Sequence, residues 1–384
     1  MNTVHVIDRD AVHEFLSSLF EQDLHAMRIL SMSNATVGAI RAASLAVHAI
    51  GAGLADAEGL NSKHAIKQVD RLLSNSGIDV WALFGSWVPF VVAERKEIVV
   101  ALDWTDFDKD GQTTIAIYLL TKHGRATPLI WKTVLKSELA DARNDHEDAV
   151  LGRLREVLPP DVRVTVLADR GFADQKLYRH MEDLGFDFVI RFRGVVHVTS
   201  ATGETKPAAD WVLPHGRARH LPGALVTADS CPVAAVVCVR AKNMKDSWCL
   251  ATSLSAASAR EVINLYARRF TIEEGFRDAK DPRFGLGLAA TRIGSPARRD
   301  RLLLISALAT ALLTLLGAAG ESLGMDRMLK ANTVKTRTHS LFRQGLHYYS
   351  ATPMMKPERL APLVEKFAQL LAAQRVFCDV FGLI

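Results

Sequence analysis

The sequence predicts an α/β chain: a mixed sheet with flanking helices, interrupted by a strand-rich insertion and bracketed by helical N- and C-terminal regions. Three observations predict it. Apolar residues recur at helical spacing up to about residue 90; residues 96 to 193 alternate apolar runs of strand length with amphipathic helices; residues 194 to about 255 are strand-like and rich in turns. With 384 residues the chain is long enough to bury a large core, and 49% hydrophobic with 23% charged residues is the balance of a globular protein rather than a disordered one. A formal net charge of +5 permits a polyanionic partner without requiring one.

In chain order, AVHEFLSSLF and TVGAIRAASLAVHAIGAGLADAEGL carry helical periodicity. SKHAIKQVDRLLSN follows, with Lys63, Lys67 and Arg71 one turn apart on one face: an ordinary solvated face, or a basic helix laid on phosphates. KEIVVALDWT reads as a buried strand, TTIAIYLLT as a second and, after a turn at HGRA, TPLIWKTV as a third. NDHEDAVLGRLREVL reads as a helix capped by Asn144, RVTVLADRGF as a parallel-type strand, DQKLYRHMEDLG as a helix stopped by Gly185 and FDFVIRFRG as another strand. Three meandering strands, then helix, strand, helix, strand, is the order of the ribonuclease-H-like fold. VVHVTSATGE, LVTADSCPVAAVVCVRAK and DSWCLATSL form the insertion, and AREVINLYARRFTIEEGFRDAK is a strongly periodic helix. The expected division is a helical DNA-binding region (1–95), the first part of the ribonuclease-H-like core (96–193), the insertion (194–255), the last core helices (256–320) and a basic helical C-terminal region (321–384).

Carboxylates at element ends carry the chemistry. Phosphoryl transfer on DNA uses two Mg²⁺ ions that activate the attacking oxygen and stabilise the leaving one, and Mg²⁺ takes a few carboxylates plus water and substrate. Asp103 ends IVVALD and Asp169 ends VRVTVLAD. A lone aspartate at a strand end ordinarily caps a loop; two on strands that this order makes neighbours would emerge together. In the late helix, Tyr266, Arg269, Glu273 and Lys280 form Y-x₂-R-x₃-E-x₆-K. At ~100° per residue these positions share a sector of ~60°. Such a face is either a solvated, ion-paired one or a carboxylate for metal with cations and a phenol for a phosphate backbone. Glu274 points roughly 100° away.

YARRFTIEEGFRDAK resembles the Y-R-E-K signature of the IS-four family of insertion-sequence transposases, and LDWT around Asp103 and ADRGF around Asp169 resemble the same family's pattern, over about residues 60 to 320. The resemblance implies a cut-and-paste transposase of the Asp-Asp-Glu class. Asp103, Asp169 and Glu273 would be its catalytic and metal-holding residues, with Mg²⁺, or Mn²⁺ in its place. Double-stranded DNA with terminal inverted repeats would be its substrate and target DNA its second partner, with a homodimer holding two ends. One strand would be hydrolysed, its 3′-hydroxyl would form a hairpin with the other strand, and no residue would bond covalently to DNA. Tyr266, Arg269 and Lys280 would contact end phosphates. Trp248, just before the apolar-Thr-Ser run of WCLATS, would stack on a base flipped out at the hairpin; the alternative is a core tryptophan.

Other signals point away from other classes. DFDKDG mimics half of an EF-hand loop, but Ile117 stands at the twelfth position where a glutamate is required. GLGL at Gly285 is too short for a dinucleotide fingerprint, and the histidines lack zinc spacing. Cys231, Cys238, Cys249 and Cys378 read as reduced thiols of a cytoplasmic protein associated with the nucleoid through DNA. The charged N-terminus does not read as a signal peptide. The uncharged run Leu302–Gly320 is long enough to span a bilayer, yet its Ser, Thr, Ala and Gly content favours a core helix and no membrane. From Arg327 to Pro357 there is no acidic residue, while Arg327, Lys330, Lys335, Arg337, Arg343 and Lys356 interleave with Phe342, Tyr348 and Tyr349, as a DNA-contacting tail would. Two further readings stand beside the transposase: a ribonuclease-H-like nuclease or resolvase, which leaves the Y-R-E-K face unexplained, and an inactive DNA-binding derivative, which leaves the intact carboxylates unexplained. A tyrosine recombinase lacks its arginine and histidine set.

Overall fold

A computed structural model describes residues 6–121, 125–227, 229–242, 244–283 and 285–372. The turn expected at HGRA and Cys378 fall wholly or partly outside them. Five helices come first: α1 (Arg9–Phe20), α2 (Ala26–Ala42), α3 (Val47–Glu58), α4 (Ser62–Ser74) and α5 (Val80–Val92). The meander is β1 (Glu97–Phe107), β2 (Gln112–Leu120) and β3 (Ala126–Leu135); then come α6 (Arg143–Val157), β4 (Arg163–Ala168), α7 (Gln175–Asp183) and β5 (Asp187–Phe192). The element order read from the sequence is the order observed. Asn144 does not cap α6, which begins one residue earlier; its amide donates to Asp174 Oδ2 across to α7 instead (2.9 Å).

β6 (His197–Thr199), β7 (Thr205–Pro207), β8 (Arg219–Pro222), β9 (Leu225–Val226), β10 (Cys231–Pro232), β11 (Ala235–Val239) and β12 (Trp248–Thr252) follow. They divide between two sheets. β6, β7, β9 and β10 make a small sheet of their own, whereas β12, β11 and β8 extend the main sheet to eight strands in the order β3-β2-β1-β4-β5-β12-β11-β8. β4 runs parallel to both β1 and β5; the other neighbours in the main sheet are antiparallel. This mixed sheet with flanking helices is the expected ribonuclease-H-like core, and its extension makes Trp248 a residue of the main sheet rather than of a separate subdomain.

The predicted long helix is broken. It becomes α8 (Ala259–Ala267), a 3-10 turn at Arg268–Phe270 and α9 (Thr271–Lys280). α8 begins with a reciprocal cap: the Ser258 side chain accepts from the Glu261 amide and Glu261 reaches back to the Ser258 amide. The apolar run forms α10 (Pro296–Ser322), buried against α11 (Leu341–Ala351), α2, α12 (Pro357–Ala372) and β3. Its first turn is anchored by Arg299, fully buried, which donates to Gln112 Oε1 (2.7 Å) and pairs with Asp110 (2.5 Å). The acidic DFDKDG segment is thus a brace between β1 and α10. The N-terminal helices share one hydrophobic core with the sheet, through Trp87, which donates to Pro128 O, and Arg301, which donates to Ile78 O and Leu73 O.

α10 and α11 cross at glycines. A β-carbon on Gly345 would overlap the Leu313 carbonyl oxygen, and one on Gly317 the Leu341 carbonyl oxygen, so the backbones touch where only hydrogen fits. Gly345→Ala should therefore cost roughly 1–3 kcal/mol or more through overpacking. A denaturant midpoint equal to the wild type would show that the crossing is looser than this.

Candidate active site

β1 and β4 pair in parallel register up to Leu102 and Ala168, where β4 ends, so Asp169 leaves the end of β4 beside Asp103. Asp103 does not end its own strand as the sequence suggests, because β1 runs on to Phe107 paired with β2. Each carboxylate is oriented by its own backbone. Asp103 Oδ1 accepts from the Trp104 amide (2.9 Å), and Asp169 Oδ1 accepts from the Gly171 amide at the start of a 3-10 turn (2.7 Å).

The third carboxylate comes from α9. Arg269, in the 3-10 turn and only 7% exposed, donates to Asp103 Oδ2 (3.1 Å) and to Glu273 Oε1 (3.2 Å). One guanidinium therefore ties the middle of β1 to the first turn of α9. Glu274 faces elsewhere, pairing with Arg277 (3.0 Å) and Arg125 (3.5 Å). The break in the helix alters the expected face. Tyr266 is 1% exposed, lying edge-on against Trp248 at 4.9 Å, and the Arg269 guanidinium lies over Phe270 (5.0 Å) and beside Tyr266 (6.0 Å). Lys280 lies at the far end of α9, donating to Thr105 Oγ1 (3.0 Å) and Asp106 O (2.8 Å) above the Phe107 ring.

Burial pushes the Asp103 carboxyl up to about 6; Arg269 opposes the rise, and the charges of Asp169 and Glu273 add to it. Carboxylates gathered in a half-buried rim repel one another and need a counter-charge. Among the described residues no three acidic, His or Cys side chains stand close enough to hold a metal ion as they are. The donor chemistry nevertheless fits a hard divalent cation, which takes carboxylate oxygens, and Arg269 stands in for its charge between two of the three.

These positions fall within a match to the transposase DDE domain family over residues 94–312, more than half of the chain. The chain belongs to that family. No curated protein is similar to it at a significant level. DDE transposases act on DNA with divalent metals, in agreement with a rim built from carboxylates.

The remaining predicted contacts in this transposase-family chain divide in two. Lys63, Lys67 and Arg71 are exposed along α4. The aromatic tail is a correction: Phe342, Tyr348 and Tyr349 are buried in α11, and Lys330 and Arg337 pair with Asp326 (2.6 Å) and Glu321 (2.5 Å). A helix packed on α10 hides the rings that sequence spacing alone leaves open to solvent. Trp248 is half-buried, with one face covered by Phe270 at 6.0 Å and the edge by Tyr266. Phe270, 40% exposed, was not foreseen; its place directly after Arg269 was the available signal.

The raised Asp103 value has a consequence for stability. Between 3.8 and about 6 the folded state keeps a proton that the unfolded chain has released, so this group's contribution falls as pH rises through that window. In chelator-treated protein, Asp103→Asn should be more stable than the wild type at pH 7, with the difference vanishing near pH 4. Denaturant midpoints at several pH values measure it; a variant less stable at pH 7 would show that the Arg269 pair outweighs burial.

Proposed function

We propose that this chain is a cut-and-paste transposase, similar to the IS-four family, that cleaves and joins DNA at terminal inverted repeats with Asp103, Asp169 and Glu273 as its catalytic carboxylates. The observation that carries the reading is the pair of aspartates on adjoining parallel strands, Asp103 within β1 and Asp169 just past the end of β4, joined to Glu273 through Arg269. In this reading the three carboxylates hold two Mg²⁺, or Mn²⁺ as a substitute. Bound there, the ions would supply Lewis acidity for the attacking and leaving oxygens. Asp103, from within β1, and Asp169, from the end of β4, present the oxygens not engaged by their own backbone amides, and Glu273 approaches from α9. Arg269 and Lys280 contact phosphates, while Tyr266, being buried, supports Arg269 from behind. Lys63, Lys67 and Arg71 track the duplex further out. Two ends require two catalytic rims, so a homodimer forms on DNA in the cytoplasm, at the nucleoid.

The hairpin route rests on the aromatic group beside the rim. A base extruded at the end needs a ring to stack on, and Trp248 backed by Tyr266 and faced by Phe270 supplies one within the same wall that holds Arg269.

Two experiments follow, both with a labelled duplex carrying the inverted repeat that borders the chain's own coding sequence. Asp169→Ala should bind that duplex and fail to cut it with Mg²⁺; cleavage near the wild-type rate would overturn the triad. Trp248→Ala should nick nearly normally but form hairpins about 5- to 150-fold more slowly, the loss of ~1–3 kcal/mol of stacking. Equal loss of nicking and hairpinning on a denaturing gel would make Trp248 a packing residue, and wild-type nicks without hairpins would favour a nuclease.

A further inference from the structure

Asp103 and Trp104 are consecutive on β1, so their side chains leave opposite faces of the sheet. On one face Asp103 meets Arg269. On the other, the Trp104 indole donates to Glu147 Oε1 on α6 (2.8 Å), and the same oxygen accepts from Arg143 Nε (3.1 Å). The Glu147 side chain is 3% exposed, and these two donors hold it there. Arg143 itself is 43% exposed. Its guanidinium lies over the Trp104 ring at 5.2 Å and the Phe172 ring at 6.0 Å. One cation thus rests on an aromatic ring from each of the two segments that carry Asp103 and Asp169.

The outer end of that cation faces the rim. Arg143 Nη2 and Asp169 Oδ1 lie 3.8 and 3.0 Å from the point that a β-carbon on Gly171 would occupy. Glu147 engages only Nε, and among the described residues neither Nη group has an acceptor. A helix-surface Arg–Glu pair at i,i+4 ordinarily has both partners in water. Here the carboxylate is buried, two rings lie against the guanidinium, and its Nη2 lies close to Gly171, whose amide binds Asp169. That is a preset fork for a tetrahedral oxyanion.

We infer that Arg143 is a further DNA-binding residue of this site, gripping a backbone phosphate next to the scissile one from the sheet face opposite Arg269, with Glu147 and Trp104 as its positioning residues. The inference rests on the transposase reading. It gives the carboxylate rim a cation on each side, so that a DNA strand laid across Asp103 and the end of β4 is held on both sides of the point of cleavage.

The test is the salt dependence of binding, by fluorescence anisotropy, to the same inverted-repeat duplex and to one of unrelated sequence, in chelator. Each lost phosphate contact removes roughly 0.9 from the slope of log K against log salt. Arg143→Ala should lose about that much on both duplexes, and Arg143→Lys should regain most of it; a structural role moves the melting temperature and leaves the slope alone. Should Arg143→Ala melt early, Arg143→Gln keeps a planar, uncharged polar end group on a shorter stem and serves as the neutral variant. An unchanged slope in the folded neutral variant overturns the inference. Asp169→Ala separates the two readings: if it cuts DNA, the transposase site is misplaced; if it binds without cutting and the Arg143 slope is unaltered, only the role of Arg143 fails.

Discussion

Arg269 is the constraint on which the rest of the rim depends. Three carboxylates brought together over the central strands of a sheet would push one another apart, and burial makes the repulsion at Asp103 stronger by removing water that would screen it. A guanidinium has its donors in a rigid planar fork, so a single side chain serves Asp103 and Glu273 through two separate nitrogens at a fixed spacing, which the point charge of a lysine does not impose. The pair is a costly device in stability terms, since desolvating an arginine and an aspartate takes back much of what their attraction provides. What it supplies is placement: the middle of β1 and the start of α9 are held to one geometry by two hydrogen bonds.

The surroundings of Arg269 follow from that requirement. A 3-10 turn between α8 and α9 brings it against the sheet, and Tyr266 and Phe270 line its guanidinium while Trp248 backs both rings. α9 can lie this close to the meander because Gly275 has no side chain: a β-carbon there would stand 3.2 Å from Ala126 O and from the Tyr118 ring. Further along, Asp278 pairs with Arg125 (2.5 Å) and Lys280 binds Thr105 and Asp106, so α9 is fastened at both ends to β1, β3 and the segment between strands. α9 is thereby held in place against the sheet, while the Arg269 pairs with Asp103 and Glu273 must rearrange for the carboxylates to close on a cation.

The same sheet separates two chemistries on its faces. Asp103 belongs to the α9 side, and Trp104, one residue on, belongs to the α6 side with Glu147 and Arg143. Alternation along a strand thereby turns one short segment, LDWT, into both a carboxylate for the rim and an aromatic support for a cation.

The linear sequence by itself determined the strand and helix order of residues 96 to 193 and the pairing of Asp103 with Asp169. Both are encoded locally, in apolar runs followed by an acid, and the parallel register brings the two acids side by side although β1 continues to Phe107. It also marked α10 as a core helix through its uniform apolarity. The path of the insertion was decided only by tertiary structure. β12, β11 and β8 join the main sheet because edge pairing is a choice between distant segments that period-two patterning does not specify. The break at Arg268–Phe270 was equally invisible, since the residues there are good helix formers and the turn tightens to bring Arg269 onto Asp103. Phe342, Tyr348 and Tyr349 read as exposed rings in a basic tail until α11 is seen crossing α10 at Gly317 and Gly345, a contact that no pattern within either helix announces. Arg143 was hidden for the same reason: its spacing from Glu147 is that of any surface pair, and its position over Trp104 and Phe172 exists only once the strands carrying the two aspartates have come together.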